Sequence, residues 1–147
     1  MLKGIVAKLS AHLVYLMMQM GHGDEIAIVD ANFPAHSTVL ETVSGELVDL
    51  PAMDAPTLIE AMISHFPLDE FYDFAAWCME IDGAPDEMGE VHSQVFTLLE
   101  KAKPEGAKLG SLERQTFYQQ AKNCFAVVRV GEMRPFGCFI LRKGVIF

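Results

Sequence analysis

The sequence predicts one α/β domain whose helices cover both faces of a mixed, largely parallel sheet. Short apolar runs typical of buried strands alternate with segments of helical periodicity, as parallel sheets with crossover helices require. The chain has 147 residues, which is enough for one sizeable core. We find no internal repeat, low-complexity segment or linker in it, so we treat residues 1–147 as a single three-layer α/β/α domain.

The first helix and the first strand are predicted from two different patterns. Apolar residues recur at helical spacing up to Met20, with Ser10 before them as an N-cap and Gly21 after them, which predicts a helix over about 11–20. Its methionines are either an adaptable binding face or plain core packing, and this spacing favours core. The continuous apolar run 26–29 is short and rich in β-branched residues, as buried parallel strands are.

Prolines and caps delimit the next elements. Pro34 removes a backbone donor and restricts the residue before it, so residues 32–37 are predicted to be a loop. A second short strand is predicted over 39–43. Asp54 stands before a first turn that contains proline, which predicts a second helix from 55 to near 65.

The second half of the chain continues the alternation. In order, the predicted elements are a strand over 74–81, a third helix over 87–102, a short fourth helix around Phe117 and Ala121 with Ser111 or Arg114 near its start, and strands over 125–130 and 137–141. The turn 131–135 joins the last two strands, so we expect them to add an antiparallel pair.

Composition restricts the class of protein. The chain is 51% hydrophobic with a mean hydropathy of +0.24, yet no apolar run approaches the length of a bilayer span, so we expect subunit contacts rather than a membrane segment. The apolar end 145–147 favours the same conclusion. A net charge of −9 opposes nucleic-acid binding. The N-terminus has no secretory pattern, and the three cysteines form no Cys-x-x-Cys pair, which predicts a cytoplasmic protein with reduced thiols.

The chemistry concentrates at both ends of the first strand. His22 stands between two glycines before the strand, and Asp30 closes it. Histidine is a candidate general acid or base near neutral pH, although spacing alone favours a histidine that merely bonds a nearby carbonyl. Asp30 is either a ligand for hydroxyl groups or a solvated strand end. The residues alone therefore indicate an acid/base or polyol-binding site.

Other kinds of site lack their patterns. The chain has no His-x-His or His-Glu-x-x-His spacing, so we predict no metal site. It also has no Gly-x-Ser-x-Gly elbow and no glycine-rich phosphate loop, and thus no sign of a nucleophilic serine or a nucleotide cofactor.

Four motifs resemble a known family over nearly the whole chain. They are Gly-His-Gly-Asp-Glu at 21–25, Asp-Ala-Asn-Phe-Pro-Ala-His-Ser at 30–37, Phe-Tyr at 117–118 with Ala121, and Gly-Glu-Met at 131–133 followed by Arg142-Lys-Gly-Val145. They resemble the ribose pyranase and fucose mutarotase family, and the first two are most similar to its L-fucose mutarotase branch. The resemblance implies a cofactor-free isomerase that interconverts the α and β anomers of a free sugar, in a decameric ring with sites between neighbouring subunits.

The resemblance also implies roles for particular residues. His22 matches the catalytic acid of the family, Asp30 a ligand of sugar hydroxyls, and Arg114 a substrate-binding arginine. Tyr118 is a further pocket candidate whose alternative role is core or interface packing. The last binding segment of the family, Tyr-Gly-Asn, matches the segment Phe136, Gly137 and Cys138.

That segment departs from the family pattern. Phe136 lacks the hydroxyl of tyrosine, and the thiol of Cys138 is a weak hydrogen-bonding group in place of an amide. Three interpretations stay open: a mutarotase for L-fucose or a related sugar, a monosaccharide-binding protein of the same fold with weak or no turnover, and a structural oligomer. The intact His22 and Asp30 motifs argue against the third.

Overall fold

The computed structural model describes residues 2–147, which form five helices and six strands. The helices are α1 (Ala11–Gln19), α2 (Ala35–Val39), α3 (Ala55–Ile63), α4 (Glu90–Ala102) and α5 (Arg114–Asn123). The strands are β1 (Glu25–Val29), β2 (Leu47–Leu50), β3 (Phe74–Met79), β4 (Lys108–Leu112), β5 (Ala126–Val130) and β6 (Phe139–Arg142). Over this part of the chain, no helix is both long enough and apolar enough to cross a membrane.

The six strands form one mixed sheet in the order β2-β5-β1-β6-β3-β4. The pairs β2/β5, β5/β1 and β3/β4 are parallel, whereas β6 runs antiparallel to both of its neighbours, β1 and β3. Side chains alternate across the sheet, so Ile26 and Ile28 pack with α1, α3 and α4 on one face, and Ala27 and Val29 pack with α2 and α5 on the other. The predicted α/β fold with helices on both faces is confirmed.

Local signals placed several helix starts correctly. Ser10 caps α1 by accepting from the Leu13 N–H at 3.1 Å, and Asp54 caps α3 by accepting from the Thr57 N–H at 2.9 Å. The start of α5 is Arg114, with Glu113 as its cap. Each cap fixes the direction in which its helix leaves the preceding loop.

The strand pattern differs from the prediction in four places. The segment 39–43, predicted as a strand, is not one. Helix α2 occupies 35–39 and so begins within the segment 32–37 that was predicted to be a loop. The apolar side chains of Leu40 and Val43, which suggested a buried strand, are exposed.

Strand β4 was missed because it is a partly exposed edge strand containing Gly110, where a Cβ would lie 2.9 Å from the Phe74 and Trp77 rings. Strand β2 was also not predicted, because it has four residues and only Val48 among them is buried.

The predicted antiparallel pairing of the last two strands is wrong, because β5 and β6 do not pair with each other. Strands β5 and β6 lie on opposite sides of β1, because the segment between them crosses the carboxyl end of β1. The Ala31 N–H donates to the carbonyl of Glu132 at 3.0 Å and holds this crossing in place.

Candidate functional site

A small pocket lies where β1 ends, at the edge of the sheet crossed by the β5–β6 segment. Its volume is about 190 Å³. It is lined by Asp30, Asn32, Phe33, Met79, Arg114, Tyr118, Pro135, Phe136 and Cys138. We call it the Asp30 pocket. It brings together five of the seven residues predicted for the site, and its mixture of charged, polar and aromatic groups suits a small polyol.

Asp30 is held in the wall of this pocket by the backbone of Asn32 and by Cys138. Its side chain accepts from the Asn32 N–H at 3.0 Å, and its N–H points to the Cys138 sulfur at 3.4 Å. Asp30 is only 8% exposed. A carboxylate in such a position keeps acceptor capacity for hydroxyl groups, because one hydrogen bond does not use all its lone pairs.

Arg114 stands at the rim of the pocket, at the first position of α5. Its Nε donates to both carboxylate oxygens of Asp82, at 2.9 and 3.1 Å, and its guanidinium lies 5.8 Å from the centre of the Tyr118 ring. Hydrogen bonds with Tyr118 and then with Asp82 raise the pKa of Arg114, so it is charged at any working pH. It is an oriented donor beside the pocket.

The segment before β6 forms the opposite wall. Phe136 has a positive φ of 58°, which is uncommon for a residue with a side chain, and its carbonyl accepts from the buried His92 Nε2 at 2.8 Å. Because His92 Nδ1 accepts from the Gly89 N–H at 3.1 Å, this histidine is a neutral ring with its hydrogen on Nε2. A Cβ at Gly137 would lie 2.6 Å from Glu132 Cγ, so only glycine fits there.

Cys138 is almost completely buried behind this wall. Burial raises the pKa of its thiol well above the ordinary value, and the neighbouring Asp30 carboxylate raises it further. The group that faces Asp30 is therefore a neutral thiol. A thiol is a weak hydrogen-bonding group, so this part of the pocket is less polar than the amide of the family pattern.

Glu132 anchors the β5–β6 segment from below. Its carboxylate accepts from Arg134 Nε at 2.8 Å, from Arg134 Nη2 at 2.7 Å and from the Ala55 N–H at 3.3 Å, and it is 2% exposed. The hydrogen bonds from Arg134 hold the pKa of Glu132 below its ordinary value. The wall of the pocket is thus tied to the start of α3.

His22 lies away from the Asp30 pocket, at the other edge of the sheet. It precedes β1 whereas Asp30 follows it, and a five-residue strand spans about 17 Å. Its Nε2 lies 2.8 Å from Oδ1 of Asp69, a fully buried carboxylate, rather than bonding a carbonyl. The imidazole side chain is 40% exposed. One chain therefore does not bring His22 and Asp30 together.

Sequence reasoning missed Asp69, His92 and Glu132, which hold the segments of both edges. Glu132 lay within a quoted motif but had no assigned role, and Asp69 lies in an ordinary Asp-Glu-Phe-Tyr turn. The one feature of the sequence that could have indicated Asp69 is an aspartate at the start of a turn, where it can accept from the N–H groups two and three residues later. This pattern is common to many turns and does not single out a functional residue. Among residues 2–147, no group of three or more His, Cys, Asp or Glu side chains could hold a metal ion.

Fold and pocket together define a three-layer α/β protein with a polyol-sized pocket at the carboxyl edge of its sheet. A model of the RbsD / FucU transport protein family matches residues 3–146, and the chain belongs to this family. The resemblance found in the motifs is thereby confirmed.

Named relatives are similar over almost their whole lengths. The fucose mutarotase of Homo sapiens is 39% identical over 148 residues, which covers 99% of this chain and 94% of the human one. The crystal structure of the fucose mutarotase from Streptococcus pneumoniae in complex with L-fucose is 29% identical with a TM-score of 0.88, covering 99% of this chain and 100% of that one. The structure of FucU from Bifidobacterium longum is 34% identical with a TM-score of 0.89 and the same coverage.

The Glu132 anchor predicts a pH-dependent contribution to stability. Glu132→Gln should lower the free energy of unfolding at neutral pH by about 1–3 kcal/mol, because the buried network loses its negative charge and one of its two acceptor oxygens. Since the folded pKa lies below the ordinary 4.5, this contribution is complete above pH 4.5 and disappears as the pH falls through the folded pKa. Denaturant unfolding of both proteins from pH 7 to pH 3 measures it.

The control for that comparison is Glu60→Gln, which changes an exposed glutamate on α3. It should leave the unfolding free energy within about 0.5 kcal/mol of wild type. A Glu132→Gln deficit that stayed constant down to pH 3 would show that the lost charge is not its cause.

Proposed function

We propose that this protein is a cofactor-free sugar mutarotase that interconverts the α and β anomers of a free monosaccharide, L-fucose or a related sugar. The observation that carries the proposal is the presence, in one chain, of a carboxylate-bound histidine and a separate polyol-sized pocket, in a chain whose relatives are named fucose mutarotases. His22 is the proposed acid, and Asp30, Arg114 and Tyr118 bind sugar hydroxyls. The segment from Phe136 through Gly137 to Cys138 forms the remaining wall.

The proposed reaction needs only proton transfers. His22 gives a proton to the ring oxygen as the bond from that oxygen to the anomeric carbon breaks, while the anomeric hydroxyl loses its proton to water and becomes the aldehyde oxygen. The open aldehyde rotates about its bond to the next carbon. Reclosure on its other face returns both protons, so the sugar changes only its anomeric configuration. Positioned acid/base groups of this kind contribute about 10²–10⁴-fold to rate.

We propose that each complete site takes His22 from one subunit and the Asp30 pocket from the next. The length of β1 separates the two within one chain. Apolar side chains are exposed beside each half: Phe71 is 59% exposed near His22, and Met133 is 73% exposed in the β5–β6 segment. Covering both with protein would remove that apolar surface from water.

Joining two different edges makes a head-to-tail contact, and such contacts close into rings when the rotation between subunits permits. A head-to-tail contact between these two edges therefore supports a ring, and the family resemblance implies ten subunits in it. The exposed terminal residues Ile146 and Phe147 offer further apolar surface for assembly. The cytoplasmic location stays a prediction from the sequence.

The second candidate function is sugar binding without efficient turnover. Phe136 and Cys138 favour it, because the pocket lacks two polar groups of the family pattern and the Cys138 thiol is neutral. Anomer-exchange NMR with L-fucose, D-ribose and other aldoses separates the candidates. Accelerated exchange supports the mutarotase, and saturable binding without exchange supports the binding protein. Silence across the panel would leave only a structural oligomer.

The first prediction for this function concerns His22→Ala. Anomer exchange of the preferred sugar should fall by about 10²–10⁴-fold, because the acid is lost while the pocket is intact. His36→Ala, which removes an exposed histidine on α2, is the matched control and should exchange like wild type. Exchange within a few-fold of wild type in assembled His22→Ala would remove His22 from the mechanism.

A second prediction tests the sharing of sites between subunits. His22→Ala and Asp30→Asn should each be nearly inactive, but rings reassembled from an equal mixture should recover about a quarter of wild-type exchange, because a site that draws its two halves at random is intact in one case of four. Each variant taken through the same reassembly alone is the control. Mixed rings that stay as inactive as the controls would mean that both halves come from one chain.

The third prediction concerns the wall that departs from the family pattern. Phe136→Tyr combined with Cys138→Asn adds a hydroxyl and an amide facing Asp30, so L-fucose should bind or exchange better by roughly 5- to 100-fold, as expected for 1–3 kcal/mol of recovered hydrogen bonding. Titration of exchange rate against L-fucose concentration measures it. Equal or weaker activity toward L-fucose, in a variant that assembles normally, would show that the pocket is specialised for another sugar.

A further inference from the structure

Asp69 is a buried carboxylate to which the reaction proposed above assigns no role. It lies on the turn between α3 and β3, and its side chain is fully buried. Removing a carboxylate from water costs several kcal/mol unless hydrogen bonds replace the lost water. The side-chain hydrogen bonds of Asp69 go to its own turn and to one distant residue, His22.

The two oxygens of this carboxylate have different partners. Oδ2 accepts from the N–H groups of Phe71 at 3.0 Å and Tyr72 at 2.7 Å, which is a common way for aspartate to close a turn. Oδ1 takes no part in the turn and instead bonds His22 Nε2 at 2.8 Å. Closing the turn therefore accounts for one oxygen and leaves the bond to His22 to be explained.

Both residues are fixed to the end of β6. The Asp69 N–H donates to the carbonyl of Arg142 at 3.1 Å, and the Gly23 N–H, next to His22, donates to the carbonyl of Lys143 at 2.8 Å. The Lys143 ammonium also donates to carbonyls at the end of α1, at 2.6 and 2.7 Å. The position of the imidazole relative to the carboxylate is thus set by the sheet.

Aromatic rings restrict the remaining freedom of the imidazole. The Phe71 ring lies edge-on to His22 with 5.1 Å between ring centres, and the Tyr72 ring lies 5.9 Å away. Tyr72 is itself held under the Arg142 guanidinium at 4.4 Å. These contacts leave His22 partly open to solvent and fixed on its other sides, as a proton-transfer group must be.

We infer that Asp69 is a positioning residue that sets the tautomer and orientation of His22, so that Nδ1 is the nitrogen that exchanges protons with the sugar. An ionised carboxylate only accepts hydrogen bonds, so the bond to Oδ1 places a hydrogen on Nε2. In the neutral imidazole the lone pair then lies on Nδ1, and in the protonated imidazolium, the form that gives a proton to the ring oxygen, Nδ1 carries the proton that is transferred. The proton-transfer part of this inference rests on the proposed mutarotase function.

Two measurements test it. The ¹⁵N spectrum of histidine-labelled wild-type protein, recorded without sugar at a pH where imidazoles are neutral, should show the His22 hydrogen on Nε2, and Asp69→Asn should shift that signature. In anomer exchange, Asp69→Asn should lower kcat by about 10- to 10³-fold while KM changes by less than about threefold, because the acid is present but misdirected. Glu70→Gln, which changes an exposed acid in the same turn, should alter neither readout.

The double variant separates positioning from a structural role. If Asp69 acts only through His22, Asp69→Asn should cost almost nothing further in a His22→Ala background. A fully additive loss, an unchanged kcat in Asp69→Asn, or a wild-type His22 with its hydrogen on Nδ1 would each overturn the inference. The wild-type spectrum decides even if Asp69→Asn fails to fold. Absence of exchange in wild type would instead overturn the proposed function, since the ¹⁵N signature needs no sugar.

Discussion

The antiparallel insertion of β6 between β1 and β3 is the constraint on which both halves of the candidate site depend. Because β6 runs opposite to β1, its start lies at the carboxyl end of β1 and its end lies at the amino end. The start delivers Cys138 to Asp30, and the end delivers Lys143 to the loop that carries His22. If β6 ran parallel to β1, its start would lie at the amino end of β1 and its end at the carboxyl end. Cys138 would then be far from Asp30, and Lys143 far from the loop that carries His22. One strand of four residues thus builds two half-sites.

This arrangement keeps the two groups of candidate site residues apart in a single chain. The His22 edge has an imidazole bonded to a carboxylate and flanked by aromatic rings, whereas the Asp30 edge has a concave pocket with a carboxylate and a guanidinium. A strand cannot bend enough to join its own ends, so association of two chains is the simple way to unite them.

The sequence predicted the layers of the fold better than the order of its strands. Continuous apolar runs and capped helices identified β1, α1 and α3, because burial and caps are local signals. Strand β4 was not predicted because it contains Gly110, a residue unusual in strands, which is needed here because neighbouring aromatic rings leave no room for a side chain. The position of β6 in the sheet depends on how the β5–β6 segment crosses β1, and hydrophobic periodicity carries no information about such a crossing. The motifs likewise pointed to residues at both ends of β1, but the sequence did not show how far apart these residues lie in one chain.

The buried ionisable groups show where the fold accepts an energetic cost. Among residues 2–147, the buried aspartate, glutamate and histidine side chains are Asp30, Asp69, His92 and Glu132, and each one lies in or holds a segment of the candidate site. Asp69 bonds His22, and His92 donates to the carbonyl of Phe136. Glu132 accepts from Arg134 and so stabilises the segment between β5 and β6. A fold selected for stability alone could replace such groups with apolar ones of similar volume. Their confinement to the two edges means that the energetic cost of burying polar groups falls on the segments of the candidate site, whereas the core between the layers is apolar.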